Sequence, residues 1–371
     1  PPGDVTTDGA RSGFHAREKS SLSDKIRVLV VDDSAFMRIA VKRTLESHPK
    51  IVVIGQAKDG AEAVEKVALL NPDVVTMDFN MPRMNGVEAI RAIFARKPVP
   101  ILMLSAHTQQ GAQETLDALA AGAVDFITKP DGEVSTDLSG VKEELFRKIR
   151  AASLSKPRGE EVKRTSVRPV APKPSTARKA RPTSGREKVV LLAISTGGPA
   201  ALEKVVPRLP ADFPAPVIIV QHMPKAFTKA LAKRLDGISA VDVKEAEAGD
   251  ELSPGRVLIA PGDHHLVFDS AGRVRLSDSA PVHGCRPSAD VTLQAASRLL
   301  GARLQIVVMT GMGKDGALGS QAAKASGARV FAQDQATSVV WGMPKAVVDL
   351  GIAEGVLALE DIAPKLVELV S

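Results

Sequence analysis

Five polar residues close apolar runs in the first half of this 371-residue chain. Asp32 and Asp33 follow RVLVV (27–31), Asp78 ends DVVTMD (73–78), Ser105 ends PILMLS (100–105), and Lys129 follows AVDFIT (123–128). Carboxylates that converge on one edge repel one another unless a cation neutralises them, and an oxygen-only donor set with room for water suits Mg²⁺. An aspartate beside that ion can act as a nucleophile toward phosphorus, because ion and lysine offset the charge of the transferring phosphoryl group. Taken singly, an Asp such as Asp32 reads equally well as a helix cap or a solvated loop residue. The full set at successive strand ends does not.

A second group lies in the C-terminal half. Ser195 directly follows VVLLAI (189–194) and opens STGGPAALEKVV, where backbone N–H groups of Thr196, Gly197 and Gly198 at a helix start suit a developing oxyanion. His222 directly follows PVIIVQ (216–221), and Asp315 lies just beyond QIVVMT (305–310) in the loop GMGKDG. A serine hydroxyl needs a base to take its proton, and a carboxylate can orient that base and stabilise its cation. The motif GxSxG is absent and the order Ser, His, Asp is not that of the α/β-hydrolases. Alternatives stand beside each residue: STGG as a helix cap or phosphate cradle, His222 as a hydrogen-bonded structural histidine, Asp315 as the N-cap of a helix beginning near GALGS. Cys285 is an alternative nucleophile, but it sits in an arginine-containing loop with no strand leading into it.

The elements that position these groups alternate between short apolar runs and helical patterns. Five such units between Arg27 and about Ser155 predict an α/β domain with a doubly wound parallel sheet, whose ligands bind at the carboxyl ends of the strands. Alternation resumes at 189 with runs at 189–194, 216–221, 305–310 and 329–333, interrupted by the more extended GRVLIAPGDHHLVFDSAGRVRLS, so a second α/β sheet is expected. The predicted organisation is an extension over 1–24 with no structural role, a domain over 25–155, a flexible linker over 156–186 and a catalytic domain over 187–371.

Composition agrees with two folded domains: 44% hydrophobic and 25% charged residues. The net charge of +6 does not point to nucleic acid, because residues 156–188 alone hold eleven Lys and Arg against three Glu, which leaves the remainder at −2. That Pro-, Ser- and Thr-rich stretch buries too little to fold and reads as a solvated tether, or as an electrostatic docking segment. One cysteine allows no intramolecular disulfide, and no uncharged run reaches about 18 residues. The expectation is a cytoplasmic protein that is not inserted in a membrane and does not bind nucleic acid.

The strings VDDSAFMR, MDFNMPRMNG, LSAH and ITKP, in this order, resemble the response-regulator receiver, a flavodoxin-like domain. The resemblance implies that Asp78 is the phosphoacceptor, that Asp33 and Asp78 ligate Mg²⁺ with the carbonyl of Asn80, and that Asp32 acts through water. It also implies that Ser105 and Lys129 contact the phosphoryl group, that Phe126 is the switch aromatic, and that the 129–130 peptide is cis. Asn85 stands where the family often has Asp.

Along most of 187–371, ISTGGPAAL, VQHMPKAFTKALAKRL, RPSADVTL, MTGMGKDGALG and FAQDQATSVVWGMPKAV resemble the catalytic domain of the chemotaxis protein-glutamate methylesterases, the CheB family. That implies a triad of Ser195, His222 and Asp315, oxyanion candidates at Thr196 and the backbone near Met312, and no cofactor for the esterase reaction. It further implies demethylation and deamidation of methyl-accepting chemoreceptors, phosphorylation by a CheA-type histidine kinase, and an unphosphorylated receiver that blocks the site. Ile194 and Lys314 depart from the residues usual there. The same chemistry in a non-chemotactic array, or a receiver-linked binding protein, are the alternative readings. A transcriptional regulator would need a compact basic helix-turn-helix, and a nucleotide-binding module would need GxGxxG with a following acid; neither is present.

Overall fold

The computed structural model describes residues 25–105, 108–129, 138–155 and 187–371. In the first unit β1 (Ile26–Val31), α1 (Ala35–Glu46), β2 (Ile51–Ala57), α2 (Gly60–Leu70), β3 (Val74–Asp78), α3 (Gly86–Arg96), β4 (Ile101–Ser105), α4 (Gln109–Ala120), β5 (Asp125–Thr128) and α5 (Lys142–Leu154) alternate strictly. The strands form a parallel sheet in the order β2-β1-β3-β4-β5, with helices on both faces. Strands buried on both faces need continuous apolar runs, and the last four residues of β1, the first four of β3 and all of β4 are buried. Helix α3 starts with a capping box in which the Asn85 side chain accepts from Glu88 N–H and the Glu88 carboxylate accepts from Asn85 N–H. Asparagine serves that cap as well as aspartate, which accounts for the tolerated departure at 85.

The second unit contains β6 (Val189–Ile194), α6 (Gly198–Val205), β7 (Val217–Gln221), α7 (Lys225–Ile238), β8 (Asp242–Glu245), β9 (Arg256–Ile259), β10 (His265–Phe268), β11 (Val274–Ser277), α8 (Ala289–Leu300), β12 (Leu304–Val308), α9 (Ala317–Ala325), β13 (Arg329–Gln333), α10 (Met343–Asp349), β14 (Gly355–Leu357) and α11 (Leu359–Val370). Seven strands form a parallel sheet in the order β14-β13-β12-β6-β7-β9-β8. All six residues of central β6 are buried. The chain leaves β6 toward β7 on one side and returns to β12 on the other, so the end of β6 is the topological switch point where α/β sheets place their ligands. The stretch read as extended divides into β9 within the main sheet and an antiparallel β10–β11 hairpin outside it.

The two units pack together. Helix α4 lies against α6 and α7, and Phe126 of β5 stacks on Phe227 of α7 with ring centroids 4.4 Å apart. Both rings are buried in one apolar cluster that runs through both units. Stacking geometry of this kind adds about 1 kcal/mol to the burial of the rings, so the pair holds the units together without fixing them irreversibly.

Candidate active site

Ser195 leaves β6 with its N–H bonded to the Thr310 carbonyl at 3.0 Å. Gly197 adopts φ +79° at the N-cap of α6, a left-handed conformation that glycine takes without steric cost, and a side chain at Gly198 would collide with the Gln221 amide. The Gln221 amide donates to both Ser195 O and His222 O at 3.1 Å, tying the ends of β6 and β7. His222 Nε2 and Asp315 Oδ2 are 2.7 Å apart. The other Asp315 contacts come from the start of α8: Ser288 Oγ (2.8 Å) and Asp290 N–H (3.0 Å) donate to Oδ1, Ala289 N–H (2.6 Å) to Oδ2. Asp315 therefore caps α8, and the cap of its own downstream helix α9 is Gly316, with no side-chain bond.

Electrostatics follow from this arrangement. Burial opposes the charge of Asp315, but the hydrogen bond and charge of His222 and the two α8 N–H groups hold its pKa at about 2. Burial likewise opposes protonation of His222, yet its bond to Asp315 and its contact with the Cys285 thiol push it up to about 10. The same contact lowers the Cys285 pKa against the effect of burial. With Nε2 on Asp315, Nδ1 is the nitrogen left for a serine proton. No hydrogen bond to the Ser195 hydroxyl is present among the described residues; Ser195, His222, Met312 and Cys285 instead share one cavity of about 250 Å³.

The receiver-like unit closes that cavity. Asp125, Phe126 and Arg147 line it from the opposite side. The Thr196 hydroxyl donates to Asp125 Oδ2 at 2.6 Å, and Lys148 donates to Asp125 Oδ1 at 3.2 Å. The residue beside the candidate nucleophile is thus held by the other half of the chain. Asp125 escaped the sequence reading of the site, and Cys285, weighed there only as an alternative nucleophile, is instead a neighbour of His222. Neither carries a local signal, since Asp125 lies 71 residues from Thr196 and Cys285 follows no strand.

At the other site, ligand atoms of Asp32, Asp33 and Asp78 lie within 4.8 Å of one another. Lys129 Nζ is 2.9 Å from both Asp32 Oδ2 and Asp78 Oδ1. Burial raises the Asp78 pKa to about 6; Lys129 opposes that rise and Asp32 adds to it. An all-oxygen cluster with a buried carboxylate reluctant to ionise fits a divalent hard cation. Ser105 Oγ donates to the Gly111 carbonyl (3.1 Å) and accepts from Thr115 Oγ1 (2.6 Å), so its hydroxyl is directed toward α4. The Asn80 amide donates to Glu114. Phe126 is buried against Phe227. The 129–130 peptide, the linker 156–186 and residues 1–24 lie outside the described residues. No helix among the described residues is long and apolar enough to cross a membrane.

Comparison with known proteins agrees with both halves. Residues 28–135 match the response regulator receiver domain and residues 190–366 match the CheB methylesterase family. A protein-glutamate methylesterase/protein-glutamine glutaminase of Symbiobacterium thermophilum is 47% identical over 347 residues, covering 91% of this chain and 95% of that protein. A protein of the same name from Pyrococcus horikoshii is 45% identical over 349 residues, covering 93% and 94%. Among solved structures, the Thermotoga maritima CheB methylesterase catalytic domain is 47% identical, covering 50% of this chain and 99% of that one with a TM-score of 0.49. The chain belongs to the CheB methylesterase family, with a response-regulator receiver domain preceding the methylesterase domain.

Proposed function

We propose that this chain is a serine-type protein-glutamate methylesterase and glutamine deamidase controlled by phosphorylation of Asp78, acting in the cytoplasm on methyl-accepting chemoreceptors and phosphorylated by a CheA-type kinase. The observation that carries the reading is the junction of Ser195, His222 and Asp315 at the ends of the neighbouring strands β6, β7 and β12, in one cavity. In the reaction the neutral form of His222, the minor form at neutral pH because its pKa is raised to about 10, takes the Ser195 proton at Nδ1 as Oγ attacks the ester carbonyl, and Asp315 stabilises the imidazolium that results. Backbone N–H groups near Thr196 and Met312 receive the oxyanion. His222 returns the proton to the departing methoxide, methanol leaves, and a water activated by the same imidazole releases the glutamate. An amide passes through the same tetrahedral oxyanion, so one site serves both substrates.

On the receiver, Asp33 and Asp78 would hold Mg²⁺, with Asp32 acting through water and Ser105 and Lys129 reaching the phosphoryl group. The ion supplies neutralisation of charge on the transferring phosphoryl group. The same reading takes 25–155 and 187–371 as the two domains and 156–186 as their tether. Its test is methanol release from a panel of methylated receptor fragments. Release that depends on Ser195 supports it, and absence of release from every fragment, with the receiver phosphorylated, overturns it.

Two further outcomes are expected. Cys285→Ser keeps at least the parent turnover, because the nucleophile is retained and His222 loses a neighbour that favours its charged form. A loss as deep as that of Ser195→Ala would make the thiol the nucleophile. The second concerns pH. The lowered Asp315 pKa contributes stability above pH 3.8 that is lost as pH falls toward about 2. The raised His222 pKa contributes stability below pH 6.5 that is lost as pH rises toward about 10. The two shifts share the His222–Asp315 pair, with Cys285 adding to the rise at His222, so Asp315→Asn flattens the alkaline limb of melting temperature against pH. Equal slopes for parent and variant between pH 6.5 and 10 would refute the pairing.

A further inference from the structure

Ser288 occupies the N-cap of α8, with φ −118° and ψ 135°, yet its hydroxyl makes no bond to its own helix. A serine at an N-cap ordinarily accepts from the second or third helical N–H. Here the N–H groups of Ala289 and Asp290 turn to Asp315 instead, and the Ser288 hydroxyl donates its proton to Asp315 Oδ1 at 2.8 Å. Cap and acceptor have exchanged places. Each carboxylate oxygen thereby receives two donors: Oδ1 from Ser288 and Asp290, Oδ2 from Ala289 and His222. Two of these four donors are main chain and one is the base. Ser288 is the remaining side chain.

Ser288 is itself anchored. Its N–H donates to Nδ1 of fully buried His265 at 3.1 Å, and His265 Nε2 lies 3.2 Å from the Ala280 carbonyl. Accepting at Nδ1 and donating at Nε2 is the neutral Nε2–H tautomer. A hydrogen-bonded path therefore leads from the β10–β11 hairpin through His265 and Ser288 to Asp315 and then to His222.

We propose that Ser288 is a positioning residue for the esterase reaction, its hydroxyl fixing the rotation of the Asp315 carboxylate and through it the plane of the His222 imidazole, with His265 holding Ser288 in register. The inference rests on the triad reading. Without the Ser288 hydroxyl, Oδ1 keeps only the Asp290 N–H, the carboxylate is held less firmly about its Cβ–Cγ bond, and Oδ2 aims less well at Nε2. The bland alternative is a hydroxyl that merely satisfies a buried acceptor, affecting stability alone.

The experiment uses the full chain in acetyl phosphate and Mg²⁺, with methanol release from a methylated receptor fragment and proton NMR of the His222 Nε2–H, assigned by its loss in His222→Ala. Ser288→Ala is expected to lower kcat about tenfold with KM within about twofold, and to shift the Nε2–H resonance. Ser288→Thr keeps the hydroxyl and is expected to restore kcat to within about threefold and leave the resonance in place. Ser288→Val, matched in shape to the threonine variant, should behave as Ser288→Ala and covers the case in which the alanine variant does not fold. An unmoved resonance in Ser288→Ala or Ser288→Val, or an unchanged kcat, overturns the proposal. If Ser195→Ala remained active, the triad reading would fail instead, and the resonance would still report whether Ser288 orients the imidazole.

Discussion

Ser195→Ala and His222→Ala are each expected to lower methanol release by on the order of 10⁴-fold or more, and Asp315→Asn by clearly less. The inequality follows from roles. Nucleophile and base act as one unit, so loss of either leaves only substrate binding and oxyanion contacts. The aspartate orients the imidazole and stabilises its cation, and a variant lacking its charge keeps both reacting groups. Asparagine at 315 can still accept from α8, so the fold around it survives better than with alanine. Single-turnover measurements on a methylated receptor fragment separate chemistry from product release. Ser195→Ala with a turnover within tenfold of the parent would remove Ser195 from the mechanism.

Asp78→Asn is expected to abolish labelling by acetyl phosphate in Mg²⁺ and to hold the chain at its resting turnover. A chain beginning near Arg186 should run about tenfold faster than that resting state, within the range typical of coupling between two sites. Three contacts motivate the magnitude: the Thr196–Asp125 hydrogen bond, the Phe126–Phe227 stack, and the ion pair from Arg234 of α7 to Asp117 of α4. Phe126 lies between the two sites. The expected course is that a phosphoryl group on Asp78 draws in Lys129 and Ser105, that ring repacks, and the stack with Phe227 is lost. Equal rates for resting, beryllofluoride-activated and truncated enzyme would eliminate inhibition by the receiver. A slower truncated enzyme would assign it a recruiting role.

What could be read in advance divides along physical lines. Strands β1, β3, β4, β6, β7, β12 and β13 are legible because burial on both faces demands apolar runs, and their polar terminators name Asp78, Ser105, Ser195 and His222 directly. β8 and β14 were not. In DVKE only Val243 is buried, and GVL is three residues long at a sheet edge. Run edges also misled by a residue or two: Pro100 and Pro216 lack the N–H a ladder uses, so β4 and β7 begin one residue later. In the candidate site, the helix-start signal at Ser288 is plain, but the exchange of caps with Asp315 depends on a loop 27 residues away. The neighbourhood of Cys285 and His222 depends likewise on packing that no local pattern encodes.

The face of the receiver formed by β5, α4 and α5 is occupied, in this arrangement, by its own methylesterase domain. A third protein that needs the same face can bind only molecules in which the two domains have parted. By linkage, every increment of affinity for that face displaces the balance toward the uncovered enzyme, whatever the ligand's own purpose. On the proposed inhibition by the receiver, a binder of this surface raises hydrolysis even when it neither donates phosphate nor touches the catalytic cavity. Its potency is set by the closed-to-open ratio of the free chain.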